Sequence, residues 1–441
     1  MNSKKGSRNV VAAGFGATSD FTVRVYSPTG NQKVVEAKVP WQTGKGGAIY
    51  WPLDWLQDMM KAVRSYAGRG DLIAGAMPGA DLVFLKSGFP LKARHYPSTP
   101  EGVLAEITAK IPALELYMAT GGANVDFYQP YCQLAAMFAS RSTMWNTDTI
   151  VPLADWLTGV LHNWRVGLRA DQVMWQSQGL ATLTSEALYR KLFGKDLAAK
   201  LFRSDFFRRC EVVRDRASGA IIVPVTHDSV PARMVGFSQC PWVIWSGTWL
   251  GIAFCLLKHL GIKPTAQTFA AGIAFEGIGS SRAAITNIAQ LGRAYKWMIG
   301  FANWDYATAA LQANTVIDCT RPYDLTGMPT DEAEAKTWLR ELYNKRSPQA
   351  AIAGLLKSAA LACHQKLEAT AGVLRLAAPT EISVIGGWAQ NSAFINALRK
   401  LGYKVHIPPF AAEATHAGLA ADALVRVGDA KTFNEALAML R

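Results

Sequence analysis

The sequence predicts an α/β protein built as two domains with a ligand cleft between them, and three observations carry that prediction. Residues 10–13 are apolar and run into the small-residue turn Gly14-Phe15-Gly16-Ala17-Thr18-Ser19, followed by the alternating, β-branched segment 21–26. A second strand–turn–strand layout occupies 220–228 and 241–254. In both halves these strands give way to helix-spaced segments, so two units of similar plan face each other across their turns.

In order along the chain, Leu56, Met59, Met60 and Val63 fall at helical spacing and predict a helix over 53–66. Strands with a Pro78-Gly79 turn are expected over 71–85, and a mainly helical stretch over 100–201. The strand 220–225 ends in Thr226-His227-Asp228. The apolar stretch 240–257 is interrupted at Ser246-Gly247-Thr248, so the aromatic and branched residues on either side predict a hairpin rather than a membrane helix. Helices are expected over 281–313 and 331–367, then a strand over 381–385 that ends in the turn Gly386-Gly387. A helix over 389–401, a short strand over 404–407 and a closing helix over 417–427 complete the chain. The domain boundary is expected just after Asp228, dividing the chain into 1–230 and 231–441, and no low-complexity linker marks it.

Half of the 441 residues are hydrophobic and 18% are charged, which excludes a disordered chain. Lys and Arg number 46 against 33 Asp and Glu, a net charge of +13. The basic residues do not gather on one segment. Their densest stretch, 200–216, mixes arginines with Asp205, Glu211 and Asp215, and no base-reading or stacking motif accompanies it. A solvated basic surface that attracts anionic ligands such as nucleotides is expected, with no nucleic-acid and no membrane partner. The cysteines lack CxxC spacing, which argues against a disulfide framework or a zinc site and for free thiols in a reducing cytoplasm. No signal-peptide apolar region follows the basic start of the chain, so export is not expected. A monomer and a homodimer both stay open.

Asp228, at the end of an apolar strand, is a candidate general base: a carboxylate there can take a proton from a substrate hydroxyl and is ionised at neutral pH. Taken alone, the His227-Asp228 dipeptide favours an Asp that merely caps a turn. Ser246-Gly247-Thr248 and Gly386-Gly387 are small-residue turns after strands, where exposed N–H groups can meet a phosphate or a purine. Gly14-Phe15-Gly16 matches GxGxxG only in part, because Ser19 holds the third glycine position, and Gly44-Lys45-Gly46-Gly47 is no Walker loop. Trp145, Trp156, Trp164 and Trp175, with Met59, Met60, Met137 and Met144, read as core filler. His162, His259, His364, His406 and His416 lack metal-ligand spacing and read as ordinary histidines.

Order and spacing give these segments a common meaning. Gly46-Gly47-Ala48-Ile49-Tyr50-Trp51 resembles a G-x-x-YWD segment, residues 223–229 a strand ending in HDT, and Trp245-Ser246-Gly247-Thr248-Trp249 an SGTW hairpin. Phe275-Glu276-Gly277 with Arg282 and Asn287-Ile288 resembles NEGG…R…KNI. Residues 384–391 resemble VGGGxQN, and Glu413-Ala414-Thr415 with Gly418 resembles EATA-x-G. In this order the set is similar to the FGGY carbohydrate kinases, and among them to the rhamnulokinase branch.

The resemblance implies two ribonuclease-H-like (actin-like ATPase) domains with ATP and a sugar in the interdomain cleft. It implies transfer of the γ-phosphoryl group of ATP to a ketose hydroxyl with Mg2+. Asp228 matches the general base, and His227 and Gly79 match sugar contacts. Gly16, Ala17 and Thr18 match the first phosphate loop, while Ser246, Gly247, Thr248, Asn287, Gly386, Gly387, Gln390 and Asn391 match the nucleotide side. Asp155 matches a helix in which the acid is structural. Phosphoryl transfer needs positioning, charge neutralisation and a base, which such a set supplies.

Departures from the family cluster at the phosphate and sugar ends. Gly14 stands where the first loop carries an Asp, and Asp20-Phe21 replaces Gly-Arg. His95-Tyr96-Pro97-Ser98-Thr99 replaces YRDxRT, Met77-Pro78-Gly79 lacks a preceding DTW, and Tyr295 stands at the place of a nucleotide-contacting Gln. Loss of a carboxylate weakens the hold on Mg2+. Two expectations stay open: a kinase with an altered sugar and a metal shell rebuilt on Asp20 or Asp81, or a catalytically impaired homologue that binds nucleotide or sugar.

Overall fold

Strand β1 (Val10–Phe15) is buried at every residue, as a central strand covered on both faces must be. The computed structural model describes residues 8–15, 20–44, 48–78, 81–87, 89–95, 102–122, 130–139, 147–161, 183–201, 212–215, 218–247, 249–256, 261–278, 281–325, 327–329 and 331–441. The expectations placed on Gly16, Ala17, Thr18, Gly79 and Thr248, and on Trp145, Trp164, Trp175, Met144, His162 and His259, fall outside them.

β1 pairs antiparallel with β2 (Asp20–Ser27), and β2 with β3 (Gly30–Lys38). Next come β4 (Gln42–Thr43), β5 (Ile49–Tyr50) and β6 (Leu72–Met77), the last parallel to β1. β7 (Leu82–Lys86), β8 (Phe89–Arg94) and β9 (Thr149–Pro152) join β4 and β5 in a five-stranded sheet of order β4-β5-β8-β7-β9. β10 (Val213–Arg214), β11 (Ile221–Ile222) and β12 (Thr226–His227) complete a seven-stranded sheet of order β10-β11-β6-β1-β2-β3, with β12 also on β6. β13 (Trp242–Ser246), β14 (Leu250–Cys255), β15 (Ala274–Ile278), β16 (Ser281–Ala289), β17 (Glu381–Gly386) and β18 (Lys404–His406) form a six-stranded sheet of order β15-β16-β14-β13-β17-β18.

The period-two alternation of β1 divides its side chains between two hydrophobic cores. Val11, Ala13 and Phe15, with Ile73 and Met77 of β6, join a core that includes the Leu53–Ser65 and Leu153–Leu161 helices. Val10 and Ala12, with Leu72 and Ala74, join a core that includes the Ser229–Phe237 and Ala414–Arg426 helices and the six-stranded sheet. The Ala414–Arg426 helix, expected to close the chain but followed by a further helix over Phe433–Met439, therefore packs back onto the first strand. Trp156, Met60 and Met137 lie in the core, and Asp155 is buried beside Trp156.

The hairpin expected over 241–254 is β13 and β14, in register from Trp242 opposite Phe254 to Ser246 opposite Leu250. Among the described residues no helix is long and apolar enough to cross a membrane. The stretch 281–289, expected as helix, is strand β16, which pairs with β14 and β15; helix begins only at Leu291. Its alanines and isoleucines satisfy a period of two as well as one of 3.6 over so short a run. Residues 149–152 form β9 inside the stretch expected as mainly helical. The expected helix over 331–367 divides into Glu332–Asn344 and Pro348–Leu374, where Ser347 caps the second helix and Pro348 takes its first position.

Candidate active site

β12 runs parallel to the end of β6, with His227 opposite Met77, and the Asp228 N–H extends the ladder to the Met77 carbonyl (3.0 Å). Asp228 then enters the Ser229–Phe237 helix, and its side chain makes no capping hydrogen bond. Its carboxylate meets the Ser229 N–H at the start of the helix without making the N-cap bond to the following turn. Oδ1 lies 3.3 Å from His227 Nε2, and the side chain is 21% exposed. Burial pushes the Asp228 carboxyl above the ordinary carboxylate range, with His227 the main opposing influence. A raised carboxylate is a stronger proton acceptor than a free Asp.

His227 is bracketed from its other side. Its Nδ1 is 3.1 Å from Ser229 Oγ and 3.7 Å from Glu276 Oε2 on β15. Glu276 also pairs with Arg233, whose side chain is 2% exposed and whose guanidinium stands 5.8 Å from the ring centre of Trp245 on β13. Burial alone would raise the Glu276 carboxyl, but Arg233 and His227 outweigh it and hold it below the ordinary range. In the sequence Glu276 stands in the NEGG-like segment without a role of its own, and Arg233 does not stand out. The available signal was an arginine among Val230, Pro231 and Val235, on a buried helix face where it requires a carboxylate.

A second group forms where β13 and β17 run parallel. Ser246 is opposite Gly386, and its Oγ donates to the Ile385 carbonyl (3.1 Å) and accepts the Trp388 N–H (2.9 Å). Gly386 has φ +86°, and a Cβ there would sit 1.8 Å from the Ser246 carbonyl oxygen, so only glycine permits this approach. Gly387, exposed, opens the turn Gly387–Gln390, and Gln390 is exposed beside it. Asn287 is exposed on β16 in the row that runs through Gly251 of β14 to Trp245 of β13. Ser246, Gly247, Gly386 and Gly387 thus come together at the strand ends. Asn391 differs: it is buried, its Oδ1 caps the Ser392–Lys400 helix and its Nδ2 donates to Tyr295 Oη (2.9 Å). That bond explains Tyr295, whose hydroxyl fills the interior behind the turn and whose pKa burial pushes up.

The end of β1 holds the third group. Gly14 pairs with Thr22, and an imidazole from the Ala414–Arg426 helix lies over both. His416 Nε2 is 3.2 Å from the Thr22 carbonyl and would stand 2.9 Å from any Cβ at position 14. Asp81 is fully buried as the acceptor for Trp51 Nε1 (2.6 Å) and His95 Nδ1 (2.9 Å), with Trp41 stacked on His95. Asp81 is therefore committed to packing and does not rebuild a metal shell. Asp20 is exposed at the first residue of β2. Among the described residues no group of three or more His, Cys, Asp or Glu is placed to hold a metal ion. Among the described residues at the β1 end, Gly14 and the Thr22 carbonyl meet an imidazole rather than a set of oxygen ligands, so these residues do not fit a resident Mg2+.

His416 also makes stability depend on pH. Burial lowers its pKa to about 4, whereas the unfolded chain takes up a proton near the usual ~6.5. Acidification through that window favours the unfolded state, because only it binds the proton. The His416→Gln variant is expected to lose about 2 kcal/mol less stability than the wild type between about pH 7.5 and about pH 5, as read from denaturant midpoints.

No protein-family model matches the chain, and no curated protein matches it. Solved structures do match it. Plasmodium falciparum glycerol kinase with ADP superposes with a TM-score of 0.72 at 12% identity, covering 99% of this chain and 92% of that one. Gluconate kinase from Lactobacillus acidophilus gives 0.71 at 11% identity, covering 98% and 92%. Xylulose kinase from Rhodospirillum rubrum gives 0.69 at 15% identity, again covering 98% and 92%. The chain thus has the two-domain actin-like ATPase fold in the form that these sugar kinases share.

Proposed function

We propose that the chain is an ATP-dependent carbohydrate kinase that transfers the γ-phosphoryl group of ATP to a hydroxyl of a ketose or related sugar. The observation that carries this reading is the uncapped, partly exposed carboxylate of Asp228 at the end of β12, flanked by His227. The fold supports it, since the similar structures are sugar kinases and one of them holds ADP. In this reading the domains divide near residue 230, with the acceptor side in 1–230 and the nucleotide side in 231–441.

The chemistry follows from placement. Asp228 accepts the proton of the acceptor hydroxyl as its oxygen attacks the γ-phosphorus, and the β,γ-bridging bond breaks to release ADP. His227, held between Asp228 and Glu276, donates to a substrate oxygen. The turns at Ser246-Gly247 and Gly386-Gly387 give the nucleotide a side-chain-free approach, with Gln390 and Asn287 exposed near them. Gly16, Ala17, Thr18 and Thr248 complete the phosphate contacts, and Gly79 an acceptor contact. Asn391 supports the nucleotide turn from behind. Mg2+ enters as part of the MgATP substrate and neutralises phosphate charge.

The C-terminal motifs are most like those of rhamnulokinases, which puts deoxyketoses on the acceptor panel beside ketoses, polyols and sugar acids. ADP release measured against this panel is expected to rise well above the acceptor-free rate for at least one compound. Intact nucleotide binding with no acceptor effect would favour the other reading, a nucleotide-binding homologue without transfer, which the replacement of a carboxylate by Gly14 and His416 supports.

A further inference from the structure

Gly14 and His416 interlock. The residue at position 14 faces the Ala414–Arg426 helix, and the His416 ring occupies the space its side chain would need. The backbone that carries the ring is held in place. The helix that carries it is seated on the Ser229–Phe237 helix through Gly418, where a Cβ would stand 2.1 Å from the Pro231 carbonyl oxygen. Just before the helix, Glu413 pairs with Arg24 of β2 and accepts from Asn31 of β3. The ring nitrogen nearest Gly14 is Nε2, and its partner is the Thr22 carbonyl, which only accepts. Nε2 therefore carries the proton and has no lone pair to offer a cation. A backbone glycine and a protonated ring nitrogen stand where the strand feeds its loop.

We propose that His416 replaces a cation-holding carboxylate at the end of β1, so that this chain binds its nucleotide without a protein-held divalent ion. The inference rests on the nucleotide site proposed above. It separates two uses of Mg2+ that usually coincide: the ion still accompanies ATP for transfer, but the protein does not need it for affinity. A carboxylate at position 14 would behave otherwise, because it would repel the bare polyphosphate and accept it only with an intervening cation.

The test is a calorimetric titration of the full chain with ATP, once in excess MgCl2 and once in excess EDTA. The wild type is expected to give dissociation constants within about two-fold of each other. The double variant Gly14→Asp/His416→Ala, which removes the ring and installs the carboxylate, is expected to bind about ten-fold more weakly in EDTA than in MgCl2. A ten-fold loss for the wild type in EDTA would overturn the inference and leave the kinase reading intact. So would a double variant with a wild-type melting curve that binds ATP equally in both buffers. If the double variant does not fold, the wild-type comparison alone decides. Absence of ATP binding in both buffers would overturn the nucleotide reading itself, and this inference with it.

Discussion

Asp228→Asn is expected to lower kcat by about a hundred- to ten-thousand-fold while changing ATP affinity by no more than about two-fold. The amide keeps the size of the side chain and its place beside His227, so the fold and the imidazole are expected to stay in place. What it loses is the capacity to take a proton. The nucleotide contacts proposed above lie at the ends of β13 and β17, on other elements, and should not register the change. Equal loss of turnover and of ATP binding would instead make Asp228 a structural residue. The pH profile gives a second readout. Burial raises the Asp228 carboxyl, so the base form is lost on acidification earlier than for a free Asp, and the acid limb of kcat/KM should lie above the ordinary carboxylate range.

Gly386→Ala is the substitution expected to damage the fold most. Its φ of +86° is unfavourable for alanine, and its Cβ would be 1.8 Å from the Ser246 carbonyl oxygen, a backbone atom that cannot rotate away. β13 and β17 would have to separate, breaking the bonds of Ser246 Oγ to the Ile385 carbonyl and to the Trp388 N–H. A loss of at least about 4 kcal/mol is expected, the size reached when strain and a broken buried network combine. Gly387→Ala is the control: nothing lies within 4 Å of its would-be Cβ. It should change stability by no more than about 0.5 kcal/mol, yet weaken ATP binding, because the added methyl intrudes on the approach proposed for the nucleotide. Chemical denaturation and nucleotide titration of the two variants separate the structural glycine from the one proposed to line the nucleotide approach.

Much of the architecture was legible in the sequence because local signals agreed with the fold. The run at 10–13, the break at Ser246-Gly247-Thr248 and the strand before Gly386-Gly387 each carried the period and the turn chemistry of the element they became. β16 was not legible, since alanine and isoleucine spaced along 281–289 fit a helix face as well as a strand. β3 escaped notice for the opposite reason: it is a mostly polar edge strand, whose sequence GNQKVVEAK gives little apolar alternation. The position of Asp228 at a strand end, and of the glycine turns beyond β13 and β17, was readable from chain-local motifs. Glu276, Arg233 and His416 were not, because their meaning lies in partners far along the chain, 43 residues away for Arg233 and Glu276 and 394 for His416 and Thr22. The sequence showed that Gly14 lacked a carboxylate. Only the packing of the Ala414–Arg426 helix on the first strand showed what fills the space.

The central claim is that phosphate moves from ATP to a sugar rather than to water. The most direct measurement follows the label of γ-32P-ATP in the presence of each acceptor and identifies the labelled product. An organic phosphomonoester of one acceptor is expected, formed by the wild type and nearly absent with Asp228→Asn. Label recovered only as inorganic phosphate, or left in ATP while nucleotide binding is intact, would contradict it.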